Sequence, residues 1–201
     1  YGPACIRAKM QRRPARRIIT PHGDKPLKFG DLINADYIVA QSAESMGLTG
    51  ERDGLAVVDR ASDYKDCFPL MGRFAHDAAG ALIEFFGDVK PRRVYTDQAA
   101  ELISACRELK YNHDTSTPYR HQSNAHAERV VKKVVEGART LLERAGLPSC
   151  FWIFAVRHWC FMDNTEIKDG DSAWNKRHGK GHFDKPRLPF GCLVSFLPKP
   201  D

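Results

Sequence analysis

Hydrophobic periodicity switches between strand-like and helical along this chain, and where it switches restricts the fold. Residues 32–39 (Leu-Ile-Asn-Ala-Asp-Tyr-Ile-Val), 55–58 and 64–70 are short apolar runs suited to interior strands, and the brief join at 60–63 favours a hairpin. From residue 77 onward the spacing becomes helical. Ala78, Ala79, Leu82, Ile83 and Phe86 recur on one helix face, residues 93–96 return to a strand, and Leu102, Ile103, Cys106 and Leu109 mark a second helix. A short strand is expected at 111–115. The longest stripe follows at 126–145, where Ala127, Val130, Val131, Val134, Ala138, Leu141, Leu142 and Ala145 share one face, and Glu128, Lys132, Arg139 and Glu143 the other. Gly146-Leu147-Pro148 ends it, and residues 151–162, apolar almost all round, predict a helix packed on several sides. Strand, hairpin and crossover in this order define an α/β chain with no internal repeat.

The punctuation of the sequence divides it into a linker at 1–28, a compact core at 29–165 and an extension at 166–201. Residues 164–181 are rich in glycine and charge, and residues 189–196 predict a strand of an appended element. With 201 residues, 42% of them hydrophobic, the chain can bury a substantial core, which excludes wholesale disorder. No apolar run approaches the roughly 18 residues of a membrane span, so no membrane partner is expected. The six cysteines are dispersed without a C-x-x-C pair, which fits a reducing compartment better than a disulfide framework. The net charge of +6 is unevenly placed: residues 1–28 carry eight Lys/Arg against Asp24, or +7, leaving −1 for the rest. Arg12, Arg13, Arg16 and Arg17 lie in this arm, which reads either as a phosphate-binding or nuclear-targeting segment or as a solvated linker.

Three acids occupy unusual positions. Asp36 stands mid-run in an apolar strand, where burial of an unpaired carboxylate costs on the order of several kcal/mol. Asp97 ends a strand that follows a crossover, the place where open α/β sheets present ligand-binding side chains. Glu128 falls in the first turn of the long helix. Carboxylates that converge repel one another and are stable together chiefly around hard cations such as Mg²⁺ or Mn²⁺. Two such ions roughly 3.5–4 Å apart activate an attacking oxygen and stabilise a leaving one in phosphodiester chemistry. Taken singly, each acid has a plainer reading: Asp97 as a helix cap, Glu128 as a solvated acid favoured by the helix dipole, Asp36 as a hydrogen-bonded strand residue.

These acids sit within ordered blocks that resemble the catalytic core of retrotransposon integrases, in the copia-like branch of the retroviral integrase superfamily. The blocks are Phe-Gly-Asp-Leu-Ile-Asn-Ala-Asp at 29–36, Val-Val-Asp-Arg-Ala-Ser-Asp-Tyr at 57–64 and Tyr-Thr-Asp-Gln-Ala-Ala-Glu-Leu at 95–102. They continue with Thr-Pro-Tyr-Arg-His-Gln-Ser-Asn-Ala-His-Ala-Glu-Arg at 117–129 and Phe-Gly-Cys at 190–192. The resemblance spans about 29–196. It implies an RNase H-like fold, a five-stranded mixed sheet flanked by helices on both faces. It also implies a metal-dependent polynucleotidyl transferase that trims element ends and joins their 3′ hydroxyls to target DNA. Asp36, Asp97 and Glu128 match the metal-binding triad, with two Mg²⁺ or Mn²⁺ ions as cofactors. The implied partners are double-stranded DNA, further copies of the chain and the remainder of a polyprotein; the implied location is the nucleus and cytoplasmic particles.

The sequence departs from the pattern at Gln98-Ala99, where Asn-Gly is usual, and at His121 and Ala125, where Pro and Gly are usual; a decayed or repurposed DNA-binding remnant is the alternative. Cys5-Ile6-Arg7-Ala8-Lys9 resembles the exit of the family's zinc domain, but Gly2 stands at the paired cysteine position, so no zinc is expected and a fragment of a longer polyprotein, or a gene remnant, is. Lys132, one turn from Glu128, is a candidate DNA contact or a plain i,i+4 partner of that acid. Arg129, Lys133, Gln122 and Asn124 are further candidates for DNA contact. Asp59 and Asp63 are read as turn residues, Glu101 as a supporting residue, and Trp152 and Trp159 as packing.

Overall fold

The computed structural model describes residues 25–39, 45–115 and 125–195. Five strands, β1 (Ile33–Val39), β2 (Asp53–Asp59), β3 (Lys65–Leu70), β4 (Val94–Thr96) and β5 (His113–Thr115), form one sheet in the order β3-β2-β1-β4-β5. The hairpin-linked strands β1, β2 and β3 pair antiparallel. Strands β1, β4 and β5 pair parallel, because helical crossovers join them.

Helices α1 (Ala75–Phe86) and α2 (Ala100–Glu108) cover one face, and α3 (Ala125–Ala145) and α4 (Trp152–Thr165) the other. The period of two along β1 sorts its side chains. Ile33, Ala35 and Tyr37 join Leu82, Phe85, Phe86 and Leu102 in the first core, while Ile38 packs into the second with Val130, Val134, Ala138 and Val156. Every residue of β2 is buried, as expected of a strand covered on both sides. Each large side chain so buried contributes about 1.5–3 kcal/mol. This is the α/β arrangement that the residues predict, and the five-stranded mixed sheet with helices on both faces that the resemblance implies.

The long helix lies flush on its neighbour because position 137 lacks a side chain: a Cβ on Gly137 would fall 2.0 Å from Trp159 Nε1. Gly146, at φ 62°, then turns the chain out of α3, and Leu147 N–H closes back on Leu142 O at 3.1 Å.

The extension departs from expectation in two ways. A hairpin of β6 (Ile167–Lys168) and β7 (Asp171–Ser172) and a short helix α5 (Ala173–His178) form within the segment that reads as irregular. Arg177 of α5 stacks over Phe29, Tyr64 and Phe85, 4.3–5.4 Å from their ring centroids, which ties the extension to the core. The strand predicted at 189–196 is absent among its described residues, 189–195. They make a turn, with Cys192 N–H on Pro189 O, and Phe190 packs beside His158. Leu193 and Val194 of this run are exposed, and at the start of β3 Asn164 accepts from Lys65 N–H at 3.0 Å and donates to Lys65 O at 2.7 Å.

Candidate active site

Parallel pairing places the first two acids. Ile33 lies opposite Val94 and Asn34 opposite Tyr95; the same offset carried two positions further brings Asp97 level with Asp36. Adjacent strands run about 4.8 Å apart, so the two carboxylates leave neighbouring backbones at one height. Asp97 is held at the exit of β4, where its Oδ1 accepts from Ala99 N–H at 3.2 Å. Thr96 Oγ1 donates to Asp97 O at 2.7 Å and meets His113 Nε2 at 2.8 Å, fixing the strand end against β5. Glu128 is exposed in the first turn of α3, and the neighbouring residues Ala127 and Val130 are buried.

Electrostatics connect the three. Burial first, and then the charges of Asp97 and Glu128, push the Asp36 carboxyl up to about 6, against the Tyr37 N–H, 2.8 Å from Asp36 Oδ1, and the Arg73 guanidinium. Asp36 therefore feels both other acids. Arg73, which no sequence motif marks, pairs with Asp53 at 3.0 Å and lies over the Tyr37 ring at 4.9 Å. Burial, and after it the charge of Glu101, raises the phenol of Tyr37, whose hydroxyl has no hydrogen-bond partner among the described residues.

Among the described residues, no group of three or more His, Cys, Asp or Glu side chains is gathered tightly enough to hold a metal ion. The donor chemistry nonetheless fits a hard cation: three carboxylates, an all-oxygen set, with Asp36 destabilised in its ionised form by its like-charged neighbours. The acids are brought into one electrostatic neighbourhood without forming a closed cage.

The other sequence candidates separate clearly. Lys132 pairs with Glu136 at 3.8 Å rather than with Glu128. Lys133 and Arg129 are exposed on α3. Gln122, Asn124, Arg12, Arg13, Arg16, Arg17 and Cys5 lie outside the described residues. Asp59, fully buried, accepts from the N–H groups of Gly30, Ala61 and Ser62 and from Ser62 Oγ at 2.7–3.1 Å, which makes it a turn-building residue as expected. Trp159 packs against Gly137, and Trp152 joins the second core.

The mixed sheet in this order, flanked by helices on both faces, is shared with known proteins. The solved structures similar to it include a chain of the simian T-cell lymphotropic virus intasome in complex with PP2A regulatory subunit B56 gamma, with a TM-score of 0.61 at 18% identity over 88% of this chain and 62% of that one. They also include the catalytic core domain of BIV integrase, with a TM-score of 0.55 at 12% identity over 73% of this chain and 92% of that one. In sequence, the chain is 29% identical over 198 residues to the retrovirus-related Pol polyprotein from transposon TNT 1-94 of Nicotiana tabacum. It is also 29% identical over 105 residues to that from transposon RE1 of Arabidopsis thaliana. These matches cover 88% and 49% of this chain but only 14% and 7% of the polyproteins. No protein-family model matches the chain. In sequence the chain is thus similar to a short part of plant retrotransposon Pol polyproteins, and its fold is that of retroviral integrase cores.

Proposed function

We propose that this chain is a retroelement integrase core that trims the 3′ ends of element DNA and joins them to target DNA with the help of divalent metal ions. The observation that carries the reading is the coupling of Asp36 to both Asp97 and Glu128 across β1, β4 and α3. In this reading Asp36, Asp97 and Glu128 would hold the Mg²⁺ or Mn²⁺ ions. When bound, such a pair supplies an activated attacking oxygen and a stabilised leaving oxygen. The protein positions the acids: β1 and β4 hold two of them at one height, and the first turn of α3 brings the third from a separate element. Arg129, Lys132 and Lys133 lie on the same helix as Glu128 and would meet DNA phosphates, whose counterions such cations displace. The working assembly would be an oligomer derived from a longer polyprotein and acting in the nucleus. Among the described residues no helix is long and apolar enough to cross a membrane.

A second reading, a DNA-binding descendant without joining activity, is favoured by the absence of a closed three-acid cluster among the described residues. A strand-transfer assay with matching element ends and Mn²⁺ separates the two. The first reading expects joined product from the wild-type chain and its reduction to background in Asp97→Asn; DNA binding with no joining by the wild-type chain supports the second.

A further inference from the structure

Packing of the second core is incomplete where β1 ends. A cavity of about 170 Å³ lies there between β1, α3 and the first turns of α4. Ile38 and Val39 wall it from the strand, Ala138 and Leu142 from the long helix, and Trp152 and Val156 from the helix that follows. Ala138, Leu142 and Val156 are buried, whereas Val39 is 47% exposed, so the space opens to solvent at the end of the strand. None of the three acids of the candidate active site lines it. Apolar hollows of this size accept one aromatic ring; about 150 Å³ of aliphatic- and aromatic-lined space is enough to hold benzene.

One group on the wall is of a different kind. Arg139 lines the cavity from α3 and is exposed, and it has no ion pair among the described residues. The nearest acid before it on the helix, Glu136, is already engaged by Lys132 at 3.8 Å. A guanidinium fork matches a carboxylate through two parallel hydrogen bonds. Ligand sites commonly combine such parts, an apolar hollow and a few polar groups that fix orientation. We propose that this cavity binds a small monocarboxylate with an apolar body the size of one ring, the ring held between β1, α3 and α4 and the carboxylate held by Arg139 at the rim. The size of the hollow selects the body, and the unpaired cation selects the charge. The site requires no DNA chemistry and stands whether or not the chain joins DNA ends.

Isothermal titration of the full chain with phenylacetate, phenylacetamide and acetate at matched ionic strength separates these two selections. Phenylacetate is expected to bind with a Kd on the order of 0.1–1 mM and to change a tryptophan emission that Trp152→Phe removes. Acetate, which lacks the body, should not compete. Arg139→Gln, a surface change, should weaken phenylacetate about tenfold and leave the weaker binding of phenylacetamide as it is. Arg144→Gln, which removes an equal charge from α3 away from the cavity, should change neither. Ala138→Leu, which fills the hollow from the helix side, should abolish binding of both ring compounds while thermal melting confirms the fold. Phenylacetate binding no tighter than that of acetate overturns the site, and so does binding that survives in a folded Ala138→Leu variant. Equal affinity for phenylacetate in wild type and Arg139→Gln overturns the assignment to a carboxylate. Mutual displacement of phenylacetate and a DNA duplex would give the cavity to nucleic acid and overturn it as a separate small-molecule site.

Discussion

Two aspartates on adjacent antiparallel strands are treated in opposite ways by this fold. Asp59, at the end of β2, is completely buried, yet three backbone N–H groups and a serine hydroxyl satisfy its carboxylate. Asp36, on β1, is only partly buried, yet its ionised form is opposed by burial and by two neighbouring acids. The same contrast separates the two ends of the sheet. At the β3 edge every conspicuous charge has an opposite: Lys65 with Asp163, and Arg157 with Asp66 and Glu84. Around β1 and β4 like charges oppose one another: Asp97 and Glu128 both disfavour ionisation of Asp36. The fold completes the shell of a buried Asp59 but disfavours the ionised form of Asp36, which the Tyr37 N–H and the Arg73 guanidinium support only in part.

The largest expected effect on stability lies on the satisfied side of this comparison. Asp59→Ala strands the donors of Gly30, Ala61 and Ser62 in the interior and should cost about 3 kcal/mol or more, measured by chemical denaturation. A loss below about 1 kcal/mol would mean that the hairpin re-forms without its carboxylate and that the contrast is not energetic.

The opposite sign is expected at Asp36. A carboxyl whose folded pKa, about 6, exceeds its unfolded value of 3.8 binds its proton more tightly in the fold. The penalty is absent below about pH 4, grows as pH rises towards 6, and is complete above that. In metal-free buffer at pH 7.5, Asp36→Asn should therefore stabilise the protein by about 1–2 kcal/mol, a range reduced for the solvent that still reaches the group. The variant should also lose the decline in stability between pH 4 and 6. Added Mn²⁺ should raise the melting temperature of the wild-type chain and not that of Asp36→Asn. A destabilised Asp36→Asn would place this aspartate with Asp59, as a structural residue.

Much of this arrangement is legible in the residues. The change of hydrophobic period locates β1 to β5 and α1 to α4, because each is an amphipathic or wholly buried segment whose pattern is set by the core it faces. The three acids stand out because carboxylates in an apolar strand, at a strand exit and in a helix first turn break that pattern. The small elements of the extension are not legible. β6, β7 and α5 are too short to carry a period, and α5 docks through Arg177 on rings of Phe29, Tyr64 and Phe85, residues distant in sequence. Arg73 escapes for a similar reason, since its proximity to Asp36 exists only once β2 and β3 have folded. The strand expected at 189–196 shows the converse: an apolar run suggests a buried strand, yet Leu193 and Val194 stay exposed.

The smallest effect should come from Lys132. Its ammonium and the Glu136 carboxylate are 3.8 Å apart, with side chains 74% and 62% exposed, so water and salt screen the pair. Lys132→Ala should change stability by less than about 0.5 kcal/mol. Lys65 is the useful counterpart, because its side chain is 3% exposed and it bonds Asp163 in the interior, so its removal should be felt by the fold. If the exposed α3 lysine serves DNA rather than structure, Lys132→Ala will weaken duplex binding while leaving the melting temperature in place. Equal losses of binding and stability would instead make Lys132 part of the scaffold, like Lys65, and would remove it from the proposed DNA-binding face.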